Sequence, residues 1–230
     1  MEHTTQQDTW KQLAGEAAAS LIEDGMVLGL GTGTTATQMI YAVGRRIQEG
    51  LRITGAVATS QASEELAREL GIPLTDLDTH PVLDLAIDGA DEIDGQLRLI
   101  KGGGGALLRE KIVASSARRF IVIGDPTKQV TQLGRKFPLP VEVVPFAATP
   151  VSRRLEALGA SVRLRRSGES VFVTENCNVI LDCFFAGGIA DPTELEAYIR
   201  SIVGVVEVGL FLKMAERAII GGPEGVKVLL

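Results

Sequence analysis

The stretch that decides the fold is GLGTGTTA, residues 29–36. It overlaps an apolar segment, residues 27–30, that predicts a buried strand, and it leads into a helical pattern over residues 36–47. The stretch satisfies the G-x-G-x-x-G/A pattern of dinucleotide-binding turns through Gly31, Gly33 and Ala36. A strand–turn–helix unit of this kind predicts an open α/β sheet, in which ligands bind beyond the carboxyl ends of the strands.

Strand and helix patterns alternate on both sides of this turn. We predict strands at 53–58, 83–87, 97–100 and 120–123, and helices at 10–23, 63–70 and 106–118. This alternation favours a mostly parallel, Rossmann-like α/β sheet with covering helices.

The pattern changes after Lys128. We predict, in order, strand 141–144, helix 150–158, strand 162–165, a hairpin of 171–174 with 179–184, helix 192–202 and strand 205–208. This order resembles a split βαβ unit, so we expect a smaller, ferredoxin-like α+β domain. The predicted domains are 1–130 with 209–230 for the Rossmann-like domain, and 131–208 for the small domain.

Composition limits the classes of function. With 230 residues, 45% hydrophobic and 23% charged, the chain is typical of a globular protein. A net charge of −6 and 4% aromatic residues argue against a nucleic-acid partner. Cys177 and Cys183 are predicted to be free thiols in a reducing compartment. The chain shows neither a signal-peptide pattern nor an apolar run of membrane-spanning length, so we expect a cytoplasmic protein with no membrane partner.

The threonines of the first turn indicate a small ligand. Thr32, Thr34 and Thr35 place hydroxyls beside exposed N–H groups at a helix N-terminus, which suits a phosphate or a sugar. A nicotinamide enzyme also needs an acidic residue about 20 residues further on. The corresponding segment is AVATSQAS, residues 56–63, and it has no carboxylate. A tight turn with capping threonines is the alternative.

A second loop, within LDLAIDGADEID at residues 83–94, gathers carboxylates after a buried strand. Its acidic residues are Asp88, Asp91, Glu92 and Asp94. Such a cluster is compatible with a metal site, with ordinary turn residues, or with hydrogen bonding and proton transfer to a hydroxylated ligand. The chain has only two histidines, His3 and His80, so a transition-metal site is poorly supplied.

A third loop, KGGGGALLRE at residues 101–110, has two interpretations. Glycine-rich segments are often flexible linkers, but bare N–H groups can also close around a ligand. The loop is not a Walker motif, because its lysine precedes the glycines. Lys101 could neutralise an oxyanion and Glu110 could accept a proton, although a lone helical glutamate is usually solvated. The fourth loop, GDPTK, adds Lys128 as a second cation or a turn cap.

Five segments in order resemble the A-type ribose-5-phosphate isomerase family. They are GLGTGTTA, DGADEID, KGGGGALLREK, FIVIGDPTK and FPLPVEVVPFA. The resemblance implies interconversion of D-ribose 5-phosphate and D-ribulose 5-phosphate without metal or cofactor. It places the enzyme in the non-oxidative pentose phosphate pathway or the Calvin cycle. It further implies that the Rossmann-like domain is catalytic, and that the chain forms a homodimer or homotetramer whose contacts the small domain builds.

The resemblance also assigns roles to residues. Glu110 falls on the catalytic base. The substrate-binding positions fall on Thr32, Gly33, Thr34, Thr35, Asp88, Gly89, Ala90, Asp91, Lys101, Gly102, Gly103, Gly104 and Lys128. Thr34 stands where the family has serine, a change that keeps the hydroxyl. For an enediolate mechanism we expect Lys101 to stabilise the oxyanion. Asp88 is the candidate for proton transfer in ring opening and Asp91 for holding the O1 and O2 hydroxyls, and the two roles could be exchanged. The rival interpretation is a non-catalytic sugar-phosphate sensor on the same fold.

Overall fold

The computed structural model describes residues 5–230. This part of the chain contains six α-helices: α1 (Gln6–Ala19), α2 (Thr34–Gln48), α3 (Gln61–Glu69), α4 (Leu107–Ser116), α5 (Ala148–Ala157) and α6 (Pro192–Arg200). Two 3-10 turns occupy Pro126–Lys128 and Pro145–Ala147. The strands are β1 (Val27–Leu30), β2 (Gly55–Ala58), β3 (Leu85–Gly89), β4 (Glu92–Ile93), β5 (Leu99–Ile100), β6 (Phe120–Gly124), β7 (Leu139–Val143), β8 (Ala160–Leu164), β9 (Arg166–Ser167), β10 (Ser170–Val171), β11 (Val179–Phe185), β12 (Val205–Val208), β13 (Leu210–Phe211), β14 (Arg217–Gly222) and β15 (Gly225–Leu229).

The larger of two compact units is built on a six-stranded sheet. It comprises the chain up to Ala90 together with Arg109–Lys128 and Met214–Leu230. The strand order is β15-β14-β6-β3-β1-β2, and every pair is parallel except the β14–β15 hairpin. This sheet confirms the predicted Rossmann-like class, and the C-terminal segment joins it as an extra hairpin.

The central strands are fully buried, which is why they are almost uninterrupted apolar runs. The core also takes in apolar side chains from α1 and α2, including Ala14, Ala18, Met39, Ile40 and Val43. Because β1, β2, β3 and β6 are mutually parallel neighbours, the loops that follow them emerge at one edge of this sheet. That edge carries most of the predicted binding residues.

The smaller unit comprises Asp91–Leu108 and Gln129–Lys213. Its four-stranded antiparallel sheet has the order β12-β7-β11-β8, and the chain runs β7-α5-β8-β11-α6-β12 around it. This arrangement is the split βαβ, ferredoxin-like topology, as predicted. The unit also contains a sheet of three short antiparallel strands, β13-β5-β4, and the two-stranded antiparallel pair β9–β10.

Two details differ from the sequence-based expectations. The predicted hairpin of 171–174 with 179–184 is wrong: β10 pairs with β9, while β11 lies between β7 and β8 and meets the other segment only at a Val173–Val179 bridge. The unit boundaries also differ, because residues 91–108, 129–130 and 209–213 group with the smaller unit. Pairing of β5 with β4 and β13 accounts for the grouping of 91–108 and 209–213.

Candidate active site

The turn after β1 is fixed by its close approach to β3 in the larger unit. The Gly31 N–H donates to the Ile87 carbonyl at 2.9 Å. A Cβ on Gly31 would lie 2.6 Å from the Cα of Asp88, so no larger residue fits without parting the strands. The first glycine of the G-x-G-x-x-A pattern is therefore required by backbone proximity to an aspartate of the second loop.

Asp88 ties the first two loops together. Its side chain is buried, and Oδ1 accepts hydrogen bonds from the N–H groups of Thr32 at 3.0 Å and Gly89 at 2.7 Å. Such bonds favour the ionised form of a carboxyl group. The two predicted segments, Thr32–Thr35 and Asp88–Ala90, thus share one edge of the sheet in the larger unit.

The side chain of Thr32 enters a cluster of buried hydroxyl groups. Its Oγ1 lies 2.7 Å from Thr59 Oγ1, 2.7 Å from Ser60 Oγ and 3.3 Å from Ser63 Oγ. Ser63 Oγ donates in turn to the Gly31 carbonyl at 2.7 Å. In the sequence, the AVATSQAS segment is distinguished only by its missing carboxylate. Its position at the end of β2 is the sequence feature that could have placed it near the turn after β1.

The remaining threonines form the N-terminus of α2. Gly33 is the N-cap residue with φ +101°, and the first intrahelical bond runs from Thr37 N–H to the Gly33 carbonyl. The N–H groups of Thr34 and Thr35 precede that bond, as at any helix start. Thr34 is exposed and Thr35 is buried. This end of α2 offers N–H groups, a hydroxyl and a positive helix terminus to an anion.

Lys128 ends a 3-10 turn that follows β6. Its N–H donates to the Asp125 carbonyl at 3.1 Å. The buried Asp125 carboxylate accepts bonds from Thr127 and, at 3.1 Å, from Gln7 of α1. Burial acts to raise the pKa of Asp125, but these bonds and the charge of Lys128 outweigh it and lower that pKa. These bonds hold the turn together, and it places a half-buried lysine beyond the carboxyl end of β6.

Glu110 lies in the first turn of α4, and only 4% of its surface is exposed. A solvated helix position was the simple alternative for this residue, and its burial contradicts that interpretation. Charged carboxylates are rarely buried unless they have a structural or chemical role. The position near a helix N-terminus favours the anion that a general base requires.

The glycine-rich loop belongs to the smaller unit and is well ordered by hydrogen bonds. The Gly103 N–H donates to Asp91 Oδ2 at 2.8 Å, and the Gly105 N–H donates to the Gly102 carbonyl at 3.0 Å. Gly104, at the tip, is exposed. The linker interpretation fails because the loop is pinned on both sides of that tip.

Lys101 enters this loop as a buried cation. Its backbone N–H donates to the Gly209 carbonyl at 2.9 Å, and its side chain is 2% exposed. Nζ lies 5.5 Å from the centre of the Phe211 ring, within the range of a cation–π contact. Burying an ammonium group is costly, so this placement marks Lys101 as a functional candidate.

The acidic cluster divides into different uses. Glu92, fully buried, accepts backbone N–H groups of Gly134, Lys136 and Phe137. Asp94 binds Arg98 and closes a turn. Both are therefore structural residues, and Asp88 and Asp91 remain the candidates for hydrogen bonding and proton transfer. Across residues 5–230 no group of three or more His, Cys, Asp or Glu side chains could hold a metal ion; His3 lies outside the described residues.

Two further properties concern the rest of the chain. In the part that the structure describes, no helix has the length and apolar character needed to cross a membrane. Both cysteines are free thiols, as predicted. Burial raises the pKa of Cys183 to about 12, with a smaller contribution from the charge of Asp182.

The larger unit is thus a Rossmann-like α/β unit whose parallel sheet has, at its carboxyl edge, a glycine–threonine turn at a helix N-terminus beside the buried Asp88. The family model described as Ribose 5-phosphate isomerase A (phosphoriboisomerase A) matches residues 55–225. The chain belongs to this family.

Similar proteins cover almost the whole chain. It is 56% identical to a ribose-5-phosphate isomerase A of Roseiflexus sp. (strain RS-1) over 94% of each chain. The crystal structure of ribose 5-phosphate isomerase A from Neisseria gonorrhoeae is 42% identical, with a TM-score of 0.91 over 99% of this chain and 98% of that one. A D-ribose-5-phosphate isomerase in complex with phospho-erythronic acid is 39% identical, with a TM-score of 0.94 over 98% and 99%. The family resemblance seen in the sequence is confirmed.

Proposed function

We propose that this chain interconverts D-ribose 5-phosphate and D-ribulose 5-phosphate through an enediolate, without metal or cofactor. The observation that carries the proposal is the 56% identity to an enzyme of that name over 94% of both chains. The segments expected to bind substrate also support the proposal. They provide a turn at a helix N-terminus, two aspartates that accept backbone N–H bonds, a buried lysine and a buried glutamate.

Glu110 is the proposed base. In the aldose-to-ketose direction its carboxylate removes the proton from C2 of the open-chain sugar and returns that proton to C1, while the proton of the O2 hydroxyl passes to O1 so that O2 becomes the ketone oxygen. Burial supports this role, since a side chain that is only 4% exposed is shielded from bulk water and can be held in one orientation toward the substrate carbon. Its substitution by glutamine keeps the shape and removes the basicity.

Lys101 is the proposed partner of the oxygen charge. As the proton leaves C2, negative charge develops on O1, and a fixed ammonium group in a low-dielectric site stabilises it. Burial of Lys101 supports this role, because a solvated lysine would be screened. Lys101→Met is expected to lower kcat about 10²–10³-fold. A change confined to KM would instead assign Lys101 to uniform binding.

Asp88 and Asp91 are proposed to transfer the ring-opening proton and to hold the sugar hydroxyls. Each uses one carboxylate oxygen to accept backbone N–H bonds, Oδ1 in Asp88 and Oδ2 in Asp91. Those bonds fix the orientation of both carboxylates before substrate binds. Asp88 is the more buried of the two, which supports its assignment to proton transfer.

The phosphate and the remaining hydroxyls are proposed to contact the loops. The binding positions are Gly33, Thr34, Thr35, Gly89, Ala90, Gly102, Gly103, Gly104 and Lys128. Thr32 has protein partners for its N–H and its hydroxyl, so we assign it to shaping the turn. Although the net charge of the chain is −6, the phosphate would bind to the N-terminal end of α2 and to Lys128.

Phospho-erythronic acid provides an independent test. It is bound in the structure of one relative. Its carboxylate carries the negative charge that an enediolate develops, so we expect it to inhibit this chain competitively with ribose 5-phosphate. Saturable binding of either compound without any turnover would favour the sensor instead.

Assembly into two or four copies and a place in the pentose phosphate pathway stay predictions. Light scattering tests the number of copies.

A further inference from the structure

The glycine-rich loop is held from behind by an arginine of the same compact unit. Arg165 lies between β8 and β9, more than 60 residues further along the chain. Its Nη1 donates to the Gly102 carbonyl at 2.7 Å and to the Gly103 carbonyl at 3.1 Å. One guanidinium nitrogen therefore binds two successive peptide oxygens of the loop.

Arg165 is itself held in a fixed position. Nε donates to Asp182 Oδ2 at 3.0 Å, and Nη2 donates to Oδ1 of the same carboxylate. The guanidinium carbon lies 5.9 Å from the centre of the Phe172 ring. The two charged side chains are only 12% and 16% exposed. A bidentate pair shielded in this way has a defined orientation, and lysine cannot reproduce its fork.

Because the peptide bond is planar, the contacts of Arg165 with two carbonyls also fix the direction of the N–H groups that follow them. In a trans peptide the carbonyl of one residue and the N–H of the next point in opposite directions. Since the Gly102 and Gly103 carbonyls both face Arg165, the N–H groups of Gly103 and Gly104 both face away from it. The Gly103 N–H meets Asp91, as this requires. The Gly104 N–H points to the same side from the exposed tip of the loop.

The ring of Phe172 closes the other end of the loop. A Cβ on Gly105 would lie 2.5 Å from Phe172 Cε1, and Gly105 has φ +85°. The Phe172 N–H donates to the carbonyl of Arg165 at 3.0 Å, which couples the ring to the arginine. The entire segment 102–105 thus rests on one arginine–phenylalanine surface.

We propose that Arg165 is a positioning residue for the isomerase reaction. It orients the 102–103 and 103–104 peptide units. The Gly103 N–H then binds Asp91, and the Gly104 N–H is presented to an oxygen of the substrate. This inference rests on the proposed function, in which residues of the glycine-rich loop bind the sugar phosphate. Arg165 acts through the loop and does not touch the substrate.

The test compares Arg165→Met, Arg165→Lys and Arg165→Ala with the wild type. Misplacing a loop by about 1 Å can cost about 10²-fold in rate, so we expect kcat of Arg165→Met to fall by about that factor. KM for ribose 5-phosphate should change far less. Arg165→Lys should stay close to Arg165→Met, because its single ammonium cannot bind Asp182 and both carbonyls. Arg163→Met is the matched control, since Arg163 lies in β8, is exposed and contacts the Phe184 ring.

Chemical rescue separates positioning from simple stability. Millimolar methylguanidinium should raise kcat of Arg165→Ala, and methylammonium should not. Methylguanidinium should also give no increase in kcat of the Arg163→Met control. The proposal is overturned if Arg165→Met keeps wild-type kcat, or if folded Arg165→Ala gains nothing from methylguanidinium. If the wild type itself does not convert ribose 5-phosphate, the proposed function fails. Wild-type activity together with an active Arg165→Met variant rejects only the inference about Arg165.

Discussion

Glu92 is expected to be a main stabilising residue of the smaller unit. Its side chain is fully buried, and its two oxygens accept three backbone N–H groups: Gly134 at 2.6 Å on Oε2, and Lys136 at 2.6 Å and Phe137 at 2.8 Å on Oε1. Those donors belong to one connection, between Gln129 and β7. Without Glu92 these three N–H groups would lose their acceptor in a partly buried connection.

Glu92→Gln is the sharpest perturbation, because it changes one oxygen into an NH2 group at constant shape. Its carbonyl oxygen can replace Oε1, so its NH2 group must face the Gly134 N–H. One charge-assisted bond is then lost, at about 1.5–3 kcal/mol, and the two others weaken. Neutralising a buried charge returns part of this cost. We expect a net loss of about 3 kcal/mol in the free energy of unfolding, which lowers Tm by about 6–12 °C in a chain of this size.

The assay is thermal and urea unfolding followed by circular dichroism. Glu224→Gln, in the exposed β14–β15 turn, is the control and should stay within about 0.5 kcal/mol of the wild type. The reasoning about buried acceptors is refuted if Glu92→Gln melts as the wild type does.

Two further predictions concern the larger unit. Gly31→Ala should abolish turnover and destabilise the fold by about 1–3 kcal/mol or more, because its Cβ would lie 2.6 Å from Asp88 Cα; a variant with normal kcat and Tm would contradict the packing argument. The bonds from Arg119, with those from Arg217, lower the pKa of Glu216 from 4.5 to about 2. The pair with Arg119 therefore stabilises the fold above pH 4.5, and this contribution is lost as the pH falls from 4.5 toward about 2. Because the pair is partly exposed, its value is only about 0.2–1 kcal/mol. Glu216→Gln should remove that difference between pH 6 and pH 3, and an unchanged pH profile of unfolding would refute it.

Much of the fold could be predicted from the sequence because its strands are local, apolar runs. Residues 27–30 and 205–208 match β1 and β12, and the alternation of strands and helices gave the parallel sheet. The end of β3 was missed because pairing of Asp88 and Gly89 with β6 extends that strand to Gly89. The start of α1 at Gln6 was missed although a local pattern existed, the capping box of Thr5 and Asp8.

The candidate site was predictable where its residues follow strands, and not where they arrive from a distance. The threonine turn and the aspartate loop were expected to converge because parallel strands end at one edge. Arg165 reaches Gly102 across 63 residues, and no local pattern connects them. Ser63 was visible in the sequence, but its bond to the Gly31 carbonyl depends on the packing of α3 beside β1. Long-range side-chain contacts of this kind are set by the assembled fold.

The central claim is that Glu110 is the carbon base of a metal-independent isomerase. The most direct measurement is conversion of ribose 5-phosphate to ribulose 5-phosphate in EDTA by the wild type and by Glu110→Gln at matched concentrations. We predict full wild-type turnover after chelation and a loss of about 10²–10⁴-fold in kcat for the variant, with a modest change in KM. Near-normal turnover by Glu110→Gln, or loss of wild-type activity in EDTA that added metal restores, would contradict the account.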